Sequence, residues 1–82
     1  MLLPQDIDAE LHNWMIVMHP WRGLSFPTIV GTIRSDRKER FADGRMIQTS
    51  FLLTPVEQVH EGAIVRTLNT AYLLVGPAAQ RN

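Results

Sequence analysis

Apolar and polar residues follow two rhythms along this chain. Near the start, Ile7, Leu11 and Trp14 recur at helical spacing, Pro4 suits a first helical position, and Asp6 and Asp8 sit favourably beside the dipole of a first turn. The spacing predicts a short helix over residues 4–12, with an extended arm as the alternative because so short a helix is marginal without packing. From Trp14 to Met18 the pattern becomes continuous, Trp-Met-Ile-Val-Met, as in a strand covered on both faces or lying in a subunit interface. His19-Pro20 is expected to end that strand, since Pro20 has no N–H and presses His19 towards extended geometry. Trp21-Arg22-Gly23-Leu24 then reads as a turn-bearing loop.

The second strand spans Phe26 to Arg34, where Thr28, Ile29, Val30, Thr32 and Ile33 are β-branched and fit a pleated surface. Pro27 stands at its start, and Gly31 in its middle marks a bulge or a place where an aromatic ring crosses the backbone. Ser35 to Arg40 is a charged loop leading into Asp43-Gly44, a strong turn signal. A third strand is predicted from Met46 to Leu53, with Ile47, Thr49, Phe51 and Leu53 facing the core. Pro55 stops it, and Val56 to Gly62 is a polar connection. Ala63 to Leu68 and Ala71 to Val75 form a hairpin around Asn69-Thr70, pairing Thr67 with Tyr72, Val65 with Leu74 and Ile64 with Val75. Gly76-Pro77 closes the last strand, leaving residues 78–82 as a loose tail.

The pattern as a whole predicts one mainly β domain over residues 1–82: a short N-terminal helix or arm over 1–12, then a five-stranded antiparallel meander. The nearest named architecture is a small, SH3-like, partly open barrel.

Composition narrows the class. At 82 residues the chain can build one core, and a 45% hydrophobic share argues against disorder over most of it. The absence of cysteine removes disulfides and thiolate metal sites, and a cytoplasmic location is expected. The N-terminus turns acidic without a positive region, so no signal peptide is predicted, and the Trp14–Met18 run is far too short to cross a bilayer. Formal charge cancels to zero, which weakens a dedicated nucleic-acid role, yet Arg22, Arg34, Arg37, Lys38, Arg40 and Arg45 crowd the middle of the chain.

Candidate chemistry is sparse. His12, His19 and His60 are scattered without metal-ligand spacing, so no metal site is predicted, and His60 with Glu57 and Glu61 defines no mechanism. Ser25, Ser35 and Ser50 lack a nucleophile elbow, no glycine-rich phosphate loop occurs, and Asp43 belongs to its turn. No catalytic residue, no cofactor and no enzymatic activity are expected. Trp14 reads as core. Trp21 beside Arg22 has interface hot-spot composition, with a lid over one end of the domain as the equal alternative. Arg34, Arg37, Lys38 and Arg40 read as a solvated charged loop or as a partner-binding or phosphate-touching finger.

Asp43-Gly44-x-x-Ile47-x-Thr49-Ser50, followed by Val65-Arg66-Thr67-x-Asn69-Thr70-x-Tyr72-x-Leu74-x-Gly76-Pro77, resembles a pattern in short uncharacterised proteins of proteobacteria and their phages. Asn13-Trp14 is similar in placement, and the ending here carries an extra residue between Leu74 and Gly76. The resemblance implies a β-hairpin meander and a mobile-element background, and it supplies no site residues.

The leading expectation is therefore a small non-enzymatic module binding a protein partner through Trp21, Arg22, Arg34, Arg37, Lys38 and Arg40. A phage or mobile-element accessory or inhibitor protein, such as an anti-CRISPR, fits that description. The alternatives are a nucleic-acid-binding small barrel using the basic loop, and a self-associating structural protein that covers the Trp14–Met18 run with a second subunit.

Overall fold

The computed structural model describes residues 7–79. They form β1 (Ala9–Trp21), β2 (Leu24–Arg34), β3 (Met46–Gln48), a single 3-10 turn (Val56–Gln58), β4 (Ile64–Arg66) and β5 (Ala71–Val75). The fold is mainly β, as predicted. The strands make one open sheet in the order β3-β2-β1-β5-β4, which is not a meander. β1 and β5 run parallel, pairing Ala9 with Tyr72 and Leu11 with Leu74, so the sheet is mixed rather than antiparallel throughout.

The helix predicted over residues 4–12 is replaced by strand from Ala9 onward; its first residues, 4–6, lie outside the described part of the chain. The helix-like spacing comes from a β-bulge. Between the pairs His12–Thr32 and Met15–Val30, Asn13 and Trp14 together oppose Gly31. Asn13 takes φ +50°, a left-handed conformation that asparagine tolerates better than most residues. The extra residue moves the inward set from Leu11 to Trp14, which mimics a helical interval inside a strand. Gly31 is part of the same device: a Cβ there would stand 3.2 Å from the His12 carbonyl and 3.3 Å from Trp14 Cα and Cβ.

His19-Pro20 does not end β1. The strand runs to Trp21, and Arg22-Gly23 with φ +52° and +77° turns it straight into β2. Such a two-residue turn makes Trp21–Leu24 a hydrogen-bonded pair, so the next pair, Pro20–Ser25, needs no proline N–H.

The core is formed by Ala9, Leu11, Trp14, Ile29, Ile33, Ile47, Leu52, Val65, Tyr72 and Leu74. Trp14 is 3% exposed, and its indole N–H donates to the Gly76 carbonyl at 2.9 Å. The Ala79 N–H donates to the Trp14 carbonyl at 2.7 Å, so residues 78–79 are held against β1; 80–82 lie outside the described residues.

Two registers differ from those expected. β3 stops at Gln48 because the Thr49 hydroxyl accepts from the Ile29 N–H at 3.0 Å and donates to the Ser50 carbonyl at 2.8 Å. Alternation is lost there, and Leu52 is buried while Leu53 is 59% exposed and Phe51 is half-buried. In the last hairpin Val65 pairs with Tyr72 and Ile64 with Leu73, a slip of two residues from the expected register. Thr67 leaves the ladder to bridge Leu52, and its N–H bonds the Thr70 carbonyl, which lengthens the loop. A two-residue slip keeps every side chain on its expected face.

Residues 49–53 also tie the sheet's two sides together. Thr49 N–H and Leu52 N–H donate to Ile29 and Pro27 of β2, whereas Leu53 N–H donates to Arg66 of β4.

Candidate protein-binding surface

Beyond the start of β1 and the end of β2, the two long strands leave the rest of the sheet. β5 accompanies β1 only to His12, and β3 accompanies β2 only over Val30–Thr32. The remainder, from Val17 to Thr28, is a two-stranded arm supported mainly by the crossing segment around Phe51 and Leu52.

Pairing register places His19, Trp21, Leu24 and Phe26 on one face of this arm. Phe51 arrives from the crossing segment and stacks on Phe26, with ring centroids 4.7 Å apart and planes 14° from parallel. Trp21 meets Phe26 edge-on at 6.0 Å and Phe51 at 5.9 Å, and His19 lies 6.1 Å from Phe51. The Arg22 guanidinium sits 4.8 Å from the Trp21 ring centroid, a cation–π contact. Despite these contacts Trp21 remains 49% exposed and Leu24 63% exposed. At the inner end the face turns polar, where Gln48 Nε2 donates to the Thr28 hydroxyl and that hydroxyl donates to the Val17 carbonyl. Trp21 is thus neither a lone finger nor a core lid. It is the outermost ring of an aromatic cluster.

The charged loop is built differently. The Asp36 side chain is 1% exposed and organises the loop, accepting from the backbone N–H groups of Lys38, Arg40 and Phe41 at 3.1, 2.9 and 3.3 Å. Arg40 Nε and Nη2 donate to the same carboxylate. Burial opposes ionisation of Asp36, but the Arg40 side-chain hydrogen bond, the backbone N–H groups of Arg40 and Lys38 and the Arg40 charge outweigh it. Its carboxyl is held below its ordinary value of 3.8. Arg40 Nη1 also donates to the Thr70 hydroxyl at 2.9 Å, and Lys38 Nζ donates to the Asn69 carbonyl. Lys38 lies 3.9 Å from Asp8, whose own carboxylate accepts from the Ala71 N–H at 2.9 Å.

The six residues expected to bind a partner are therefore split. Trp21 and Arg22 occupy the tip of the arm. Arg34, Arg37, Lys38 and Arg40 lie at or beyond the far end of β2, whose length separates the two groups by about 30 Å. Of the basic set, Lys38 and Arg40 spend their donors on Asp36, Asn69 and Thr70, and so pin the loop rather than extend it. A shallow cleft beside this loop, lined by Ile7, Ala9, Glu10, Ser35, Arg37 and Leu73, is distant in the fold from the aromatic face. Asp43 supports its turn by accepting from the Ser35 N–H at 2.8 Å.

His19, Leu24, Phe26 and Phe51 were absent from the sequence-based set. The first three follow once β1 is extended to Trp21, because i,i+2 spacing and hairpin pairing then align them with it. Phe51 has no local signal. Among the described residues no three His, Cys, Asp or Glu side chains come together, and no helix is long and apolar enough to cross a membrane.

No family model, curated protein or solved structure matches this chain.

Proposed function

We propose that this chain is a small non-enzymatic protein-binding module whose contact surface is the aromatic face of the β1–β2 arm. One observation carries the reading. A two-stranded arm, a form marginal by itself in water, displays Trp21 half uncovered and Leu24 largely uncovered at its tip above a ring cluster. An aromatic anchor flanked by arginine, on a strand pair rather than a mobile loop, is the composition of an interface hot spot. The resemblance to phage and proteobacterial proteins adds a setting, an accessory or inhibitor protein of a mobile element acting on a host complex, an anti-CRISPR among the forms this takes. The hydrogen bonds that residues 49–53 make to both β2 and β4 support classing the domain with small, partly open, SH3-like barrels.

The test is affinity purification from native host cells with three baits: the wild-type chain, Trp21→Ala, and Arg34→Glu with Arg37→Glu. A stoichiometric partner held by the wild type and the charge-reversed chain but lost with Trp21→Ala is the expected result. Loss with the charge reversal alone would move the contact to the basic end. Nucleic acid recovered in place of protein would overturn the reading.

A further inference from the structure

Among the described residues the outer edge of β1 has no strand partner along the arm. The pairs Trp21–Leu24, His19–Phe26 and Val17–Thr28 exchange hydrogen bonds with β2, so the N–H and C=O groups of Ile16 and Met18 point the opposite way. The complementary alternation on β2 agrees, since Ile29 and Pro27 direct their carbonyls outward to Thr49 and Leu52. β5 leaves β1 at His12, and among the described residues no backbone hydrogen bond reaches Ile16 or Met18 on this side. Such an edge is a template for another strand.

We infer that a second copy of this chain occupies it, pairing β1 with β1 antiparallel about a two-fold axis at Val17. In that register Ile16 faces the partner's Met18 and Met18 faces the partner's Ile16. Both N–H and both C=O groups of each copy are then used, with none left over. Neither end of the ladder can add a full exchanged pair. Pro20 has no N–H to offer, and the Trp14 carbonyl is filled by the Ala79 N–H. Charge permits the self-pairing, because no charged residue occurs from Asn13 to Trp21 and two copies meet without repulsion. A charged partner strand finds nothing on this edge to select it. Met18, 54% exposed, gains cover from the partner's Ile16, and the continuous apolar run Trp14–Met18 acquires a second neighbour. An isologous contact of this kind closes on itself rather than growing into a fibre.

The inference is independent of the aromatic-face reading, and sedimentation equilibrium combined with amide exchange separates the two. The mass of the wild type should rise with concentration from 9.3 kDa to twice that value, with exchange at the Ile16 and Met18 amides slowing in parallel. Met18→Pro removes an outward N–H that β2 does not use, so it should stay monomeric with an unchanged melt. Met18→Lys keeps the backbone, sets an ammonium against the partner's Ile16, and should weaken association at least about tenfold if the Pro variant misfolds. Trp21→Ala should associate like the wild type. A wild type at 9.3 kDa throughout, slow Ile16 and Met18 exchange in a monomer, association unaffected by either Met18 change, or dissociation caused by Trp21→Ala in a folded chain would each overturn the inference.

Discussion

The two ends of the β1–β2 hairpin put the same pair of strands to opposite uses. At the base, five strands and the charged loop enclose a core that includes Leu11, Ile33, Val65 and Leu74, all fully buried, and Asp36 and Asp8 accept from neighbouring N–H groups. At the tip, only two strands remain, and the largest side chains are partly or mostly exposed. Stability therefore resides at the base, whereas the tip has little to lose from a substitution and much to offer a partner. Apolar character alone does not distinguish the ends; neighbours do.

The largest effect should come from Val65→Asp, which buries a charge without a partner between β5 and the crossing segment and should leave the chain unfolded by circular dichroism. Gly31→Val should follow at about 2 kcal/mol or more in a denaturant titration, because its side chain would meet the His12 carbonyl and Trp14. Asp36→Asn should cost about 2 kcal/mol by leaving loop N–H groups poorly paired.

Asp36 also sets a pH dependence. Its folded value lies below its ordinary one, so its contribution is complete above about pH 4 and fades as pH falls through the lower, folded value. An acid melt of Asp36→Asn should lack that loss, and a variant as acid-sensitive as the wild type would assign the loss elsewhere.

Trp21→Ala should cost about 1 kcal/mol, the scale of its ring contacts, while abolishing partner capture. A cost of about 3 kcal/mol or more would make Trp21 a core residue and dissolve the contrast between the ends. Smallest of all, Leu24→Asp should move the midpoint by less than about 0.5 kcal/mol, the counterpart of the Val65 change on an exposed position.

Much of this architecture is written in local sequence. Arg22-Gly23 and Asp43-Gly44 turn the chain where expected, β2 follows its β-branched run, and Trp14 lies in the core. What escaped has a common origin in contacts between distant residues. The parallel β1–β5 pairing joins residues such as Ala9 and Tyr72, for which no periodicity gives a sign. The bulge at Asn13 converts alternation into a helix-like interval, so Leu11 and Trp14 suggested a helix by obeying a strand's altered phase. Thr49 breaks the third strand by a side-chain hydrogen bond, and this moves burial from Leu53 to Leu52. At the aromatic face, Trp21 and Arg22 were visible as composition, but Phe51 joins them only through the crossing segment. In the basic loop, Asp36 at its head turns a charge run into a hydrogen-bond network, and an Asp two residues before Lys38 is the one local hint.

The placement of β5 beside β1 carries a consequence for the order in which the domain can assemble. The hairpin of β1 and β2 needs only neighbouring residues and can close early, but the sheet's interior seam waits for Ala71–Val75. Bonds such as those between Asp8 and Ala71 span most of the described chain, and closing so wide a loop is slow compared with forming a hairpin. During synthesis, β1 thus spends the whole interval with both its edge and its apolar face uncovered, exposed to chaperones or to other nascent copies until the final strand emerges and inserts.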